Sequence, residues 1–327
     1  MFSSEELDAE HPLGTKIRLR SKAIHETVVI AGGSVGLGRE LASQLIQAGA
    51  NVIILARNRE RLEATAQELQ SQRVRKDQEI HTESVDLVNS SQVEDFVQSL
   101  QVTPSYVFCV AGGCAEEVGF FADISPQQIV SCFEKNYFSS AFVAHAFVKK
   151  WINQPKTSEP RHLIFTGSTA AFVAIPGYVA YTPTKTALRA LADTLRQEVL
   201  MYESRVKIQV HCSFPGTIFT ESFEKEQQNK PRLCKQLEGS DDEKSGMTPE
   251  QVAKGILDGI KKNEYLITLD LQTRLLLNNM RGPSPAETFL WDWLLCLVAS
   301  VVWPIYRKIF DRKTRAYGRE KFRDPST

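Results

Sequence analysis

Tyr181 and Lys185 stand four residues apart in Tyr181-Thr182-Pro183-Thr184-Lys185, a spacing that puts a phenol and an ammonium on one face of a helix. A free tyrosine, with a pKa of about 10, is a poor acid–base group at neutral pH, and a neighbouring cation favours its phenolate. The pair therefore reads as a general acid, Tyr181, tuned by Lys185. Proline is tolerated only near a first turn, so Pro183 places the pair at the opening of its helix. Tyr178 meets Thr182 four residues on, has no lysine to activate it, and reads as wall or packing. Ser168 follows the apolar run Leu163 to Thr166; its hydroxyl is suited to hold a substrate oxygen and stabilise developing charge.

These side chains need a scaffold, and the chain from Thr27 onward supplies its rhythm. Short apolar runs (Thr27 to Ala31, Asn51 to Ala56, Glu83 to Asp86, Tyr106 to Ala111, Leu163 to Thr166, Lys207 to Ser213) alternate with helical patterns such as Leu37, Leu41 and Leu45. Alternation of this kind predicts a doubly wound α/β domain, a parallel sheet with helices on both faces. Capping-box patterns at Ser91/Glu94, Ser125/Gln128 and Thr248/Gln251, the last two followed by proline, mark helix starts.

The first strand runs into Gly32-Gly33-Ser34-Val35-Gly36-Leu37-Gly38 before a helix begins. Glycines permit a tight turn and close approach of backbone N–H groups to a pyrophosphate at the positive end of the helix. The second strand ends Ala56-Arg57. An enzyme for NAD places an acid there; Arg57, with Arg61 a helical turn on, suits the 2′-phosphate of NADPH.

The G-x-x-x-G-x-G spacing resembles the short-chain dehydrogenase/reductase family, and the likeness extends from about Thr27 to Asp270. It implies a Rossmann-type fold with catalytic Ser168, Tyr181 and Lys185, and a water-holding Asn136 in Glu134-Lys135-Asn136-Tyr137. By the same resemblance Asp86 and Leu87 meet the adenine, Ala111 and Gly112 let the cofactor approach, and Lys185 also binds the nicotinamide ribose. The turn Pro215-Gly216-Thr217-Ile218-Phe219-Thr220 brings Ile218 and Thr220 to the nicotinamide. This chain departs from the family pattern at Ala31, where a threonine is usual, and at Cys109-Val110, where two asparagines are.

Composition narrows the field. The 327 residues carry 39 basic and 39 acidic side chains and are 42% hydrophobic, which excludes collagenous, low-complexity and wholly disordered chains and gives no basic excess for nucleic acid. Six cysteines without a C-x-x-C pair read as buried free thiols in a reducing compartment, and the scattered histidines indicate no metal. Met1 to Glu10 is acidic and unlike a signal peptide.

Two stretches break the rhythm. Residues 221–246 are polar and mixed in charge, read as a surface insertion or a lid over a substrate cleft. Phe289 to Ile305 is apolar except for Asp292 and Pro304, has Trp291, Trp293, Trp303 and Tyr306 near its ends, and precedes a tail with eight basic residues against three acidic. At about 25 Å as a helix it falls just short of a bilayer core. With the tail and the catalytic domain both cytosolic, a re-entrant or in-plane anchor is expected, with Asp292 and Pro304 suited to it.

The expected organisation is an N-terminal extension over 1–26, a single catalytic domain over 27–280, a membrane-anchoring segment over 281–306 and a basic tail over 307–327. Among membrane-attached members, the chain most resembles the 3-ketodihydrosphingosine reductases, in the glycine turn and in Leu277-Asn278-Asn279-Met280-Arg281-Gly282-Pro283-Ser284-Pro285. That resemblance implies NADPH-dependent reduction of a long-chain keto sphingoid base at the cytosolic face of the endoplasmic reticulum. The alternatives weighed are a reductase of another lipophilic carbonyl (steroid, retinoid or 3-oxoacyl chain) and a non-catalytic NADPH-binding sensor or scaffold. Homo-oligomerisation is left open.

Overall fold

The computed structural model describes residues 26–239 and 246–323. The N-terminal reading of Met1 to Glu10 and most of the run Gly239 to Lys244 lie outside the described residues. Strands and helices alternate: β1 (Thr27–Ala31), α1 (Gly36–Gln47), β2 (Asn51–Ala56), α2 (Arg59–Gln70), β3 (Ile80–Ser84), α3 (Ser90–Ser99) and β4 (Tyr106–Cys109) form the first half. The second half runs α4 (Pro126–Phe133), a π-helical turn (Glu134–Phe138), α5 (Ser139–Asn153), β5 (Arg161–Thr166), α6 (Tyr181–Glu198) and β6 (Ile208–Phe214). It continues through α7 (Glu221–Asn229), α8 (Arg232–Glu238), α9 (Pro249–Lys261), β7 (Leu266–Thr268), α10 (Leu271–Met280) and α11 (Phe289–Lys321).

The strands form one parallel seven-stranded sheet in the order β3-β2-β1-β4-β5-β6-β7. Successive side chains point to opposite faces, so β1 sends Val29 and Ala31 into a core under α3, α5, α6 and α10. Val28 and Ile30 go to a second core under α1, α2 and α9. The winding direction reverses between β1 and β4, and the crevice at such a reversal is where doubly wound folds bind ligands. His162 on β5 and His211 on β6 form a buried polar contact between strands, Nδ1 to Nε2 at 3.1 Å.

The structure corrects several local expectations. Asn89, not Ser91, caps α3, its Oδ1 accepting from Gln92 N and the Ser91 hydroxyl. The Ser125 and Thr248 capping boxes are both formed. The third strand begins and ends earlier than Glu83 to Asp86, because this edge strand alternates half-buried and exposed residues and gives a weak apolar signal. β7 was not anticipated, being three residues long. Within 221–246, α7 and α8 are regular helices packed against the body.

The C-terminal segment differs most. Instead of an anchoring segment over 281–306 and a separate tail over 307–327, α11 is one 33-residue helix that passes through Pro304, about 50 Å long. It is long and apolar enough to cross a membrane. Asp292, however, points inward: it is 3% exposed and pairs with Arg274 at 2.9 Å and Arg281 at 3.1 Å. Asp292, Leu295 and Ala299 are buried and Trp303 packs on the core, a helical stripe facing the body. Phe289, Leu290, Trp293, Leu294, Leu297, Val301 and Ile305 are exposed on the rest of the helix. Farther along, Tyr317 meets the Phe120 ring, Glu320 pairs with Arg232 and Lys321 lies 3.5 Å from Asp123. Both halves of α11 thus rest on the body.

The stretch Leu277 to Pro285 is the bracket for this docking. Arg281 donates to the Asn278 side-chain Oδ1 and to the Pro285 backbone carbonyl, Ser284 donates to Asp193 at 2.8 Å, and Arg189 donates to the backbone carbonyls of Met280 and Arg281.

Candidate active site

The glycine turn closes against β4. Gly32 has φ +96°, and a Cβ there would lie 2.5 Å from the Ala111 backbone nitrogen; only glycine fits this approach. Beyond it, α1 begins after Val35 with no side-chain cap, which leaves its first N–H groups and positive dipole end facing the crevice. Leu37 and Gly38 are buried under the turn, Gly33 packs on Ile54, and Ser34 accepts from Thr65 at 3.0 Å. Thr220, at the start of α7, reaches the turn from above: a Cβ on Gly36 would sit 3.2 Å from its methyl.

Arg57 is exposed at the end of β2, and Arg61 lies 3.6 Å from Glu221 on α7. Asp86 and Leu87 follow β3, with the Asp86 carboxylate accepting from Val88 N. The 215–220 turn is pinned from both sides, since Pro215 O accepts from Thr169 N at 3.0 Å and Ile218 bridges to Met247. Gly216 thereby sits against Thr169, the residue after Ser168, while Ile218 packs toward the second core. The residues assigned to cofactor binding thus gather along the C-terminal edge of the sheet.

Tyr181 is the first residue of α6, as Pro183 requires. Lys185 is buried one turn on, its Nζ 5.7 Å from the centre of the Tyr181 ring and donating to Thr166 O at 2.9 Å. Burial pushes this ammonium down to about 8. Ser168 follows the end of β5, where its Oγ accepts from Ala170 N at 3.1 Å and acts to lower the pKa of the Tyr181 phenol.

The tuning expected of Lys185 is not what dominates here. Burial first, and then the neighbouring Cys114 and Glu226, hold the Tyr181 phenol well above its ordinary range, against the Ser168 hydroxyl, which acts to lower it. The physical reason is that Lys185 directs its ammonium at the Thr166 carbonyl below the ring.

Asn136 occupies the π-helical turn, a local widening that places one side chain off the α-helical path and recurs at functional sites. Its amide is buried and its Nδ2 donates to Gly113 O at 2.8 Å and Cys132 O at 2.9 Å, while Oδ1 accepts from Gly113 N at 2.9 Å. Both amide protons are committed to protein carbonyls, so Asn136 fastens the 112–113 loop to α4 and keeps one Oδ1 lone pair for any water.

Tyr178 is a buried wall residue, as its spacing suggested, and the charged cluster behind it is what sequence reasoning missed. Tyr178, packed against Tyr181 with ring centres 5.6 Å apart, sends its hydroxyl 2.6 Å from Glu226 and 2.7 Å from Glu238. Lys230, its side chain fully buried, pairs with both carboxylates. The one available signal was the Glu226/Lys230 spacing of four on a helix.

Fold and site together define an oxidoreductase of the dinucleotide-binding α/β type. The short chain dehydrogenase family model matches residues 26–231, and the chain belongs to that family. Among its relatives, a 3-ketodihydrosphingosine reductase of Aspergillus fumigatus is 36% identical over 314 residues, covering 86% of this chain and 83% of that one. Another of the same name from Neurospora crassa is 33% identical, covering 90% and 83%. A fusion protein of Schizosaccharomyces pombe containing such a reductase is 34% identical over 92% of this chain, which spans 59% of the fusion's length. Solved structures share the fold: levodione reductase has a TM-score of 0.65 at 19% identity, covering 76% of this chain and 98% of that one. A Burkholderia phymatum short chain dehydrogenase in complex with NAD has a TM-score of 0.64 at 18%, covering 80% and 98%.

Proposed function

We propose that this chain reduces the 3-keto group of 3-ketodihydrosphingosine to dihydrosphingosine with NADPH, in sphingolipid synthesis. The observation that carries the reading is the meeting of Ser168, Tyr181 and Lys185 beside an uncapped helix N-terminus, in a chain 36% identical to a reductase of that name over 86% of its length.

The residues present suit a phosphorylated dinucleotide. The N–H groups opening α1 and the close Gly32–Ala111 approach receive a pyrophosphate, and Arg57 stands where an acid would select the ribose hydroxyl of NAD. Bound there, NADPH supplies a hydride to the carbonyl carbon and leaves as NADP+. The chain's own groups handle the oxygen: Ser168 and Tyr181 hold it, and Tyr181 gives its proton as the C=O π pair moves onto oxygen. The Lys185 ammonium stabilises the phenolate left behind, and the proton is restored from solvent.

The location proposed is the cytosolic face of the endoplasmic reticulum membrane. Because both halves of α11 rest on the body, the helix lies in the interface plane with its apolar face toward lipid, and the basic residues after Tyr306 meet an anionic leaflet. The test is an assay of purified protein with NADPH and lipid ketones in mixed micelles. Turnover of 3-ketodihydrosphingosine, lost in Tyr181→Phe, supports the reading; turnover of steroid, retinoid or 3-oxoacyl ketones in its place overturns it.

A further inference from the structure

The geometry points to Glu226 as the residue that recognises a cationic amine next to the ketone, making this site selective for α-amino ketones over neutral ones. The inference rests on the reaction proposed above and adds what selects the substrate.

Three features carry it. First, Glu226 is fixed over the reacting groups: its Oε1 is 2.6 Å from the Tyr178 hydroxyl and 2.8 Å from Lys230 Nζ. Its Oε2 meets the Cys114 thiol at 3.4 Å, a weak donor. Tyr178 in turn packs on Tyr181. Glu226 thus lies one ring contact away from Tyr181, and among the described residues its Oε2 accepts only from this weak donor.

Second, the cluster does not balance. Among the described residues, Glu226 and Glu238 share one cation, Lys230, whose side chain is fully buried. A buried surplus of negative charge costs free energy unless a cation or strong donor compensates it. It also opposes the reaction, since the Glu226 charge disfavours the Tyr181 phenolate that proton transfer creates. A substrate ammonium on the carbon next to the carbonyl would remove both penalties in the bound state.

Third, a separate group on the same wall waits for a donor. Glu117 closes the turn that begins at Cys114, its N–H donating to Cys114 O at 3.0 Å, and the Cys114 thiol is the group that meets Glu226. Glu117 is 2% exposed, and its Oε2 has no hydrogen-bond partner among the described residues. A ligand carrying N–H and O–H donors beside its ketone fits a wall of this kind, and the keto sphingoid base is such a molecule.

The experiment compares three ketones of equal chain length in the same mixed micelles with NADPH: 3-ketodihydrosphingosine, its N-acetyl derivative, and the 3-ketone lacking the amine. The wild-type protein is expected to prefer the free amine by at least about tenfold in kcat/KM, roughly the worth of one charge-assisted hydrogen bond. Glu226→Gln should shrink that preference to within about threefold by losing activity on the amine alone, and Glu226→Asp should restore part of it. Equal turnover of all three ketones by the wild-type protein overturns the inference without touching the reaction. An equal fall on all three in Glu226→Gln, with an unchanged melting temperature, also overturns it. Turnover of none of them overturns the underlying reaction and the inference together. The wild-type comparison needs no variant, so poor folding of Glu226→Gln leaves the question decidable.

Discussion

Asn136 and Gly113 hold each other by both ends of one amide: Gly113 N donates to Asn136 Oδ1 at 2.9 Å and Asn136 Nδ2 donates to Gly113 O at 2.8 Å. The loop beneath the proposed nicotinamide site is therefore set by the π-helical turn rather than by its own sequence. Asn136→Ala leaves both Gly113 groups without a partner. The expected result is a loss of about 2–4 kcal/mol in stability, together with a fall in kcat. Asn136→Asp, which keeps the acceptor and loses the donor, should fall between; chemical denaturation and steady-state assays check both.

Lys185 gives a pH dependence with a definite sign. Burial holds the folded ammonium at about 8, below the value of about 10.4 in the unfolded chain. Below pH 8 both states carry the charge and the folded state bears the full desolvation cost. Between these two values the folded state loses its proton first, so this site's contribution to stability improves as pH rises. The activity runs the other way: kcat/KM for ketone reduction should decline as pH passes about 8, and Lys185→Met should lose at least about a hundredfold without a lower melting temperature at pH 7. A flat profile from pH 7 to 9 would contradict the role given to Lys185.

Arg57 separates the two nicotinamide cofactors. In Arg57→Ala, kcat/KM with NADPH should fall about tenfold to a hundredfold, the worth of one charge-assisted contact to a phosphate, while activity with NADH stays within about twofold. Equal losses with both cofactors would remove Arg57 from the 2′-phosphate.

Asp292 ties α11 to the body through Arg274 and Arg281. Asp292→Ala leaves two guanidinium groups in a mostly buried site, a change that costs about 3–5 kcal/mol when one partner of a buried pair is removed. Hydrogen exchange should show the first turns of α11 and the 281–285 bracket losing protection while β1 and β4 keep theirs.

The His162–His211 pair predicts acid sensitivity. Burial, with the neighbouring charge of His211, pushes His162 down to about 3, against about 6.5 unfolded. Its stabilising contribution is complete above 6.5 and is lost as pH falls from there toward 3. The melting temperature of the wild-type protein should drop between pH 6 and 4, and His162→Leu combined with His211→Leu should flatten that slope.

How far the chain could be read depended on whether a signal was local. β1 and β2 are apolar after their first residues, Thr27 and Asn51, because both faces are covered, and their limits are visible in the residues themselves. β3 lies at the sheet edge, its pattern is diluted by exposure, and its limits were misplaced. Tyr181, Lys185 and Ser168 were legible through spacing, but the state of the phenol was not, since burial and the approach of Glu226 from α7 are tertiary facts. Tyr178 ahead of α6, Glu226 and Lys230 at the end of α7, and Glu238 at the end of α8 come together only in three dimensions, with the Glu226/Lys230 spacing as their one linear trace. Asp292 was misjudged for a related reason: average hydropathy over Phe289 to Ile305 does not say which side of the helix a charge faces.

On the placement proposed above, with α11 flat on lipid and held at both halves by the body, the dimension in which the enzyme works changes. Proximity of α11 to Phe120, Asp123 and Arg232 keeps the body at one height and one orientation over the surface, so a ketone arriving by lateral diffusion meets it within a plane. The saturating variable for such an enzyme is the mole fraction of substrate among the surrounding lipids. Diluting the surface with inert lipid at constant bulk concentration should slow it, and diluting the suspension at constant surface composition should not.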